Sequence, residues 1–132
     1  MTKKNDEMSL ASNKANAIAF YQMAYDGNPR QAIDNYVGTA YIQHNPDVAD
    51  GKQGFITYFE RMHLEYPGKT IDFVRCISEG DLVALHTHQT WPSNDQYITM
   101  DFFRFDSEGK ICEHWDAIQQ IPVKSANPNT MY

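Results

Sequence analysis

The sequence predicts a single α+β domain, with about three N-terminal helices packed on a curved antiparallel sheet of about four long strands. Three observations predict it. Apolar residues recur at helical spacing up to Pro67 and alternate with a period of two after it. The first half carries two helix-start signals, Asn28-Pro29 and Asp50-Gly51. The second half is divided by turn clusters at Ser78–Asp81, Pro92–Asp95 and Asp106–Gly109. Helices followed by a strand meander must cover one face of the sheet.

Taken in order, residues 1–12 are polar and read as a flexible N-terminal segment. A helical pattern runs from Asn13 to Asp26, with Ile18, Tyr21, Gln22 and Tyr25 on one stripe and Gly27 as its stop. Asn28 is the expected cap of a short second helix, with Gln31 completing a capping box and Ala32, Ile33, Tyr36 and Val37 as its apolar positions. An irregular stretch through His44-Asn45-Pro46 follows. Asp50 caps a third helix bearing Phe55, Tyr58, Phe59, Met62 and Tyr66, which ends at Pro67. Strands are expected from Ile71 to Ile77, Leu82 to Trp91, Tyr97 to Phe105 and Lys110 to Gln120. The domain is thus read as residues 13–122, with a polar tail over 123–132.

Composition narrows the function. The 132 residues suffice for one core without disulfides or metals. A net charge of -6 and a sequence pI near 5.2 lack the basic footprint of a nucleic-acid partner. No apolar run reaches the roughly 20 residues that a membrane helix needs, and the first residues lack the apolar region of a secretion signal, so a cytoplasmic location is expected. Cys76 and Cys112 are too few and too scattered for a zinc site or a disulfide framework. Both strand faces carry apolar residues, and the face left open by the helices predicts a homodimer interface. In the second strand His86, His88 and Thr90 share one face with Leu82 and Ala84, and Val83, Leu85 and Trp91 lie opposite.

The candidate chemical groups lie in the strands. Five histidines, at 44, 63, 86, 88 and 114, are each ordinary structural groups when taken singly. Asp101 and Asp116 are less ordinary, because aspartate is disfavoured in strands and costly to bury unpaired. The turn at Asp106–Gly109 brings the neighbourhood of Asp101 opposite that of Asp116, and His114 shares a face with Asp116. Two carboxyls and an imidazole in one apolar cavity would supply an acid and a base near neutral pH. Tyr36, Phe59, Trp91 and Phe103 are the candidate walls.

The run Met100-Asp101-Phe102-Phe103-Arg104-Phe105, with Gly109-Lys110-Ile111 and His114-Trp115-Asp116, resembles the closing hairpin of the SnoaL-like polyketide cyclases. These belong to the NTF2-like superfamily with ketosteroid isomerase and scytalone dehydratase. The segment Ala40-Tyr41-Ile42-Gln43-His44-Asn45-Pro46 is similar to the superfamily's post-helix motif. The resemblance implies an NTF2-like (cystatin-like) cone and a cofactor-independent acid/base enzyme. Its substrate would be a small apolar carbonyl compound, cyclised in an aldol closure or isomerised through an enolate. It matches Asp101 to the isomerase's protonated aspartate and, one position off register, Tyr21 to its phenol donor; His44 stands where the isomerase has its general-base aspartate, a departure that argues against plain steroid isomerisation. It matches Asp116, with Asp101 second, to the cyclases' acid/base. His86, His88 and His114 complete the expected substrate contacts. Neither a metal nor an organic cofactor is expected.

Two rival readings stay open. Gly80-x5-His86-x-His88 matches the opening of the cupin metal motif, without the later glutamate and without an all-β pattern. Alternatively, the domain is a non-catalytic ligand-binding or dimerisation module, or a dehydratase or hydrolase of the same fold.

Overall fold

The computed structural model describes residues 3–132. Three helices, α1 (Lys3–Tyr25), α2 (Pro29–Tyr36) and α3 (Gly51–Glu65), cover one face of a five-stranded sheet. The strands are β1 (Val37–Gln43), β2 (Thr70–Glu79), β3 (Leu82–Thr90), β4 (Gln96–Phe105) and β5 (Ile111–Gln120). They lie in the order β1-β5-β4-β3-β2. Four form the expected antiparallel meander, and β1 adds a parallel strand beside β5.

The fifth strand corrects the sequence reading, which left residues 38–46 irregular and gave Val37 to the second helix. Val37 and Tyr41 are buried and Ile42 is exposed on the opposite face. The strand pairs with β5 from Val37↔Ile111 to Gln43↔His114 across a register irregularity. Its local pattern is short, and pairing with β5 at the sheet edge stabilises it.

Helix α1 also begins earlier than expected. No glycine or proline interrupts the chain before Gly27, so nothing stops the helix at Asn13. Residues 6–9 are exposed, and Ser78 of β2 donates to the Leu10 carbonyl at 3.1 Å. Residues 1 and 2 of the expected flexible segment lie outside the described residues. The buried stripe is Asn13, Ala17, Phe20, Tyr21 and Ala24, whereas Gln22 points to solvent. Asn28 makes no side-chain cap bond. Asp50 caps as expected, accepting from Gly51 N at 2.9 Å and also from Gln43 N at 2.8 Å, which ties the start of α3 to the end of β1.

Strand parity divides the sheet into two chemically different faces. Toward the helices point Val83, Leu85, Thr87 and Gln89 of β3 and Thr99, Asp101, Phe103 and Phe105 of β4, all buried. The core beneath the helices is aromatic, with Phe20 stacked on Phe55 at 4.8 Å and edge-on to Phe103 at 5.9 Å between centroids. On the open face Ile42, Ile77, Met100 and Phe102 are exposed. The C-terminal segment returns to this face, where the Met131 carbonyl accepts from His86 Nε2 at 2.9 Å and Tyr132 stacks on His88 at 3.8 Å.

Helix α3 packs its first turn against residue 49. A methyl group at Gly54 would sit 1.9 Å from the Ala49 carbonyl oxygen. Helix propensity alone favours Gly54→Ala by up to about 1 kcal/mol. Overpacking against backbone costs about 1–3 kcal/mol. Urea unfolding of Gly54→Ala is therefore expected to show net destabilisation, and a stabilised variant would contradict this packing.

Candidate active site

Asp101 is the most buried charged group of the described residues, at 1% exposure. Tyr21 of α1 donates to its Oδ1 at 2.6 Å, and Thr99 of β4 donates to its Oδ2 at 2.5 Å. His114 Nε2 lies 2.9 Å from Oδ1 and 2.8 Å from the Tyr21 hydroxyl. The hairpin register places Asp101 directly opposite Asp116, and Phe103 opposite His114, all on the helix-covered face.

Gln43 decides the protonation of His114. The Asn45 main-chain N–H bonds Gln43 Oε1 at 3.0 Å, which identifies that atom as the amide oxygen. The same oxygen lies 2.8 Å from His114 Nδ1, so Nδ1 carries a proton. Nε2 then faces two oxygens, and the single Tyr21 proton is already directed to Asp101. A lone pair on Nε2 would face a carboxylate, so a further proton lies between Asp101 and His114. The pair is either imidazolium and carboxylate or imidazole and carboxylic acid, and both forms can hand a proton to a third group.

The support behind Asp101 also has one direction. Trp91 Nε1 donates to Gln89 Oε1 at 3.1 Å, and Gln89 Nε2 donates to Thr87 at 3.3 Å. Thr99 uses its one proton on Asp101, so Thr87 donates to Thr99 across their 2.5 Å contact. Four donors in series thus end on one carboxylate oxygen.

Asp116 differs. Its side chain is 10% exposed, its Oδ2 lies 4.0 Å from His114 Nε2, and its Oδ1 is buried without a hydrogen-bond partner. Burial raises the Asp116 carboxyl above its ordinary range. His114 pulls it back, and the charge of Asp101 raises it further. Burial likewise pushes the Tyr21 phenol well above its ordinary value, with Asp101 adding to the rise, so Tyr21 is a hydrogen-bond donor here.

Tyr21, His114 and Asp116 border a cavity of about 30 Å³ whose lining also includes Tyr25, Asn45 and Phe59 but not Asp101, room for about one water. Tyr58 lines both this cavity and an outer groove of about 360 Å³ that runs past Asp47, Gln53 and Arg61. Tyr58 is half-buried.

The structure brings together Tyr21, Asp101, His114, Asp116 and Phe59 of the expected site. It does not bring in His44, His86 or His88. His44 follows the inward-facing Gln43 by one position, so its ring lies outside β5, stacked on Trp115 at 4.8 Å and 2.8 Å from Glu113. His86 and His88 share the open face. His86 is bonded to Arg75 and to the Met131 carbonyl, and His88 to Gln96. Their separate partners also remove the cupin-like pairing. Tyr36 packs at the core margin, and Phe103 lies beneath Tyr21 and His114 rather than at the cavity. Trp91 anchors the donor series from outside the cavity. Gln43, Asn45, Thr87, Gln89 and Thr99 went unrecognised in the sequence. Period-two alternation through Asp101 and Val83 was the signal that could have found the three strand residues of β3 and β4.

Asp101, His114 and Asp116 each offer one ligand-type atom within 4.8 Å of the others, a spacing that could hold a metal ion. A cation there would have to displace the proton between Asp101 and His114.

Residues 17–114 match the SnoaL-like domain family. The chain belongs to this SnoaL-like family. Among solved structures, it is similar to a candidate polyketide cyclase from Bacillus cereus ATCC 10987 (TM-score 0.71, 20% identity, covering 81% of this chain and 74% of the other). It is also similar to a LEH-like epoxide hydrolase from M. tuberculosis (TM-score 0.69, 17% identity, 83% and 84% covered). A third is a candidate ketosteroid isomerase from Kribbella flavida DSM 17836 (TM-score 0.68, 13% identity, 91% and 85% covered). At these identities the likeness shows the NTF2-like α+β fold. No curated protein matches the sequence. No helix among the described residues is long and apolar enough to cross a membrane.

The raised Asp116 carboxyl sets a pH dependence. In the native SnoaL-like domain it keeps its proton to higher pH than in the unfolded chain. The native state then binds more protons across that window, so stability falls as pH rises from the ordinary carboxyl value of 3.8 through the native one. Asp116→Asn is expected to unfold later than wild type in urea at pH 7, by on the order of 1 kcal/mol. The two proteins are expected to converge as pH falls toward the ordinary value.

Proposed function

We propose that this SnoaL-like protein is a cofactor-independent acid/base enzyme acting on a small, fairly apolar carbonyl compound through an enolate. The observation that carries this reading is Asp116 Oδ1, a buried carboxylate oxygen without a partner beside a proton-bearing Tyr21–Asp101–His114 cluster. Asp116 takes the α-proton as general base. The carbonyl oxygen, becoming an enolate, is held by the proton shared between Asp101 and His114, and Tyr21 steadies Asp101 through its own hydrogen bond. The enolate carbon then either forms a C–C bond to a second carbonyl, whose new alkoxide receives the proton from Asp116, or is reprotonated at another carbon. Entry requires Tyr58 to swing aside, joining the inner cavity to the outer groove. The cyclase, isomerase and hydrolase descriptions of similar structures support this range of chemistry without selecting one reaction.

A second reading is favoured by the cavity itself. A volume of about 30 Å³ and the fully bonded Asp101 suit a non-catalytic module with a polar core. Deuterium exchange separates the two. Acetylacetone, cyclohexanone and 2-butanone incubated in D2O are expected to exchange their α-protons faster with the protein than in buffer. Asp116→Asn should slow this by about 10²–10⁴-fold. Exchange at the buffer rate, or equal exchange by the variant, would leave the module reading.

The proposal includes a homodimer through the open sheet face, where Ile77, Met100 and Phe102 are exposed together. A cytoplasmic setting is also part of it, consistent with Cys76 and Cys112 as free thiols. Light scattering should report a dimer at micromolar concentration for wild type and a monomer for Phe102→Glu. A monomeric wild-type protein would remove the interface.

A further inference from the structure

Lys69 occupies an unusual place that the acid/base site does not use. Helix α3 ends at Glu65 with Tyr66 as its C-cap, and Pro67 with the left-handed Gly68 (φ 83°) turns the chain back into β2. The Lys69 side chain lies against rings from α1, α3 and the segment after β3. Its Nζ lies 4.7 Å from the ring centroids of both Tyr25 and Trp91 and 5.7 Å from that of Phe59. No oxygen or nitrogen acceptor and no carboxylate pairs with it among the described residues. The rings balance part of its charge but accept none of its three N–H donors strongly. The consequence is visible in its basicity, which burial lowers to about 8.

The same ammonium borders a cavity of about 130 Å³. Ala24, Tyr25, Phe59 and Tyr66 form its mostly apolar walls, and His63 and Tyr66, both exposed, stand at its rim. The His63 ring is packed where a side chain at Gly27 would lie, with Cε1 2.7 Å from that position, so the rim is built around the absence of a side chain there. An accessible, mostly apolar cavity with one desolvated cation and no internal counter-charge is complementary to one negative charge on a short apolar body. A doubly charged anion would leave one charge uncompensated.

We propose that the Lys69 cavity is a binding site for a small monocarboxylate, its carboxylate on Lys69 Nζ and its apolar end against Tyr25, Phe59 and Tyr66. The site shares the Tyr25 and Phe59 walls with the Asp116 cavity but does not require Asp116 to be a base.

The test uses propionate and its neutral isostere propionamide, followed by isothermal titration calorimetry and by chemical-shift changes in the full chain. Wild type is expected to bind propionate saturably, with a dissociation constant on the order of 1 mM, and propionamide at least about tenfold more weakly. Lys69→Met should lose about tenfold or more in propionate affinity, Lys69→Arg should retain part of it, and Asp116→Asn should bind propionate as wild type does. Equal binding of propionate and propionamide by the wild-type chain overturns the proposal, and that comparison needs no variant to fold. Unchanged propionate affinity in Lys69→Met, or no saturable propionate binding by wild type, overturns it too. Loss of α-proton exchange in Asp116→Asn with propionate binding intact separates failure of either idea from failure of the other.

Discussion

Asp101 is a carboxyl group placed where water cannot reach it, and burying such a group without partners costs several kcal/mol. Its partners therefore constrain the fold. Tyr21 fixes the rotation of α1 over the sheet. Thr99 acts from the same strand, and His114 from the neighbouring one. His114 is held in turn by Gln43, which needs β1 paired beside β5, and Gln43 by the Asn45 backbone. The Thr87–Gln89–Trp91 series extends the same network through β3 to the far end of the sheet. One helix and four strands thus contribute to the solvation of one carboxyl group, and each loses a partner if the others shift register.

The contrast with Asp116 gives the site its chemical asymmetry. The two carboxyls face each other across one rung of the β4–β5 ladder. One accepts hydrogen bonds on both oxygens, and the other keeps a buried oxygen unpartnered. Environments that separate two otherwise identical groups in this way set up distinct acid and base roles. The unpaired oxygen lowers stability. The orphan oxygen belongs to a residue that lines the cavity beside the shared proton.

Much of this was legible in the sequence. The change of period after Pro67, the Asp50 cap and the turn signals located α3 and all four antiparallel strands within a residue or two. Aspartates in neighbouring strands, with His114 two positions before Asp116, pointed to side chains that the fold brings together. What was missed has a physical explanation. β1 is a short edge strand whose identity depends on a partner about seventy residues away, and local pattern does not reveal it. Its parity decided the post-helix motif: Gln43 faces inward and His44 outward, although histidine is the more conspicuous residue for chemistry. For β3, the sequence reading put the two histidines opposite Val83 and Leu85 but left open which face meets the helices. Val83 and Leu85 are the buried pair, so Thr87 and Gln89 go inward with them and His86 and His88 outward.

The two sheet faces can then be understood as one alternation with two outcomes. Along β4, Thr99, Asp101 and Phe103 turn inward, and Met100 and Phe102 turn outward. Along β5, His114 and Asp116 turn inward, and Glu113 and Trp115 outward. A one-residue slip of β4 would exchange the buried Asp101 for Met100 or Phe102, and one of β5 would exchange Asp116 for Trp115 or Ala117, each leaving a carboxyl on the open face. The polar network therefore specifies register, and the apolar outer residues are the unavoidable complement of that register. Their exposure leaves an apolar surface that the C-terminal segment covers only near His86 and His88. The buried polar cluster on one side of the sheet and the exposed apolar residues on the other are two consequences of the same strand pairing.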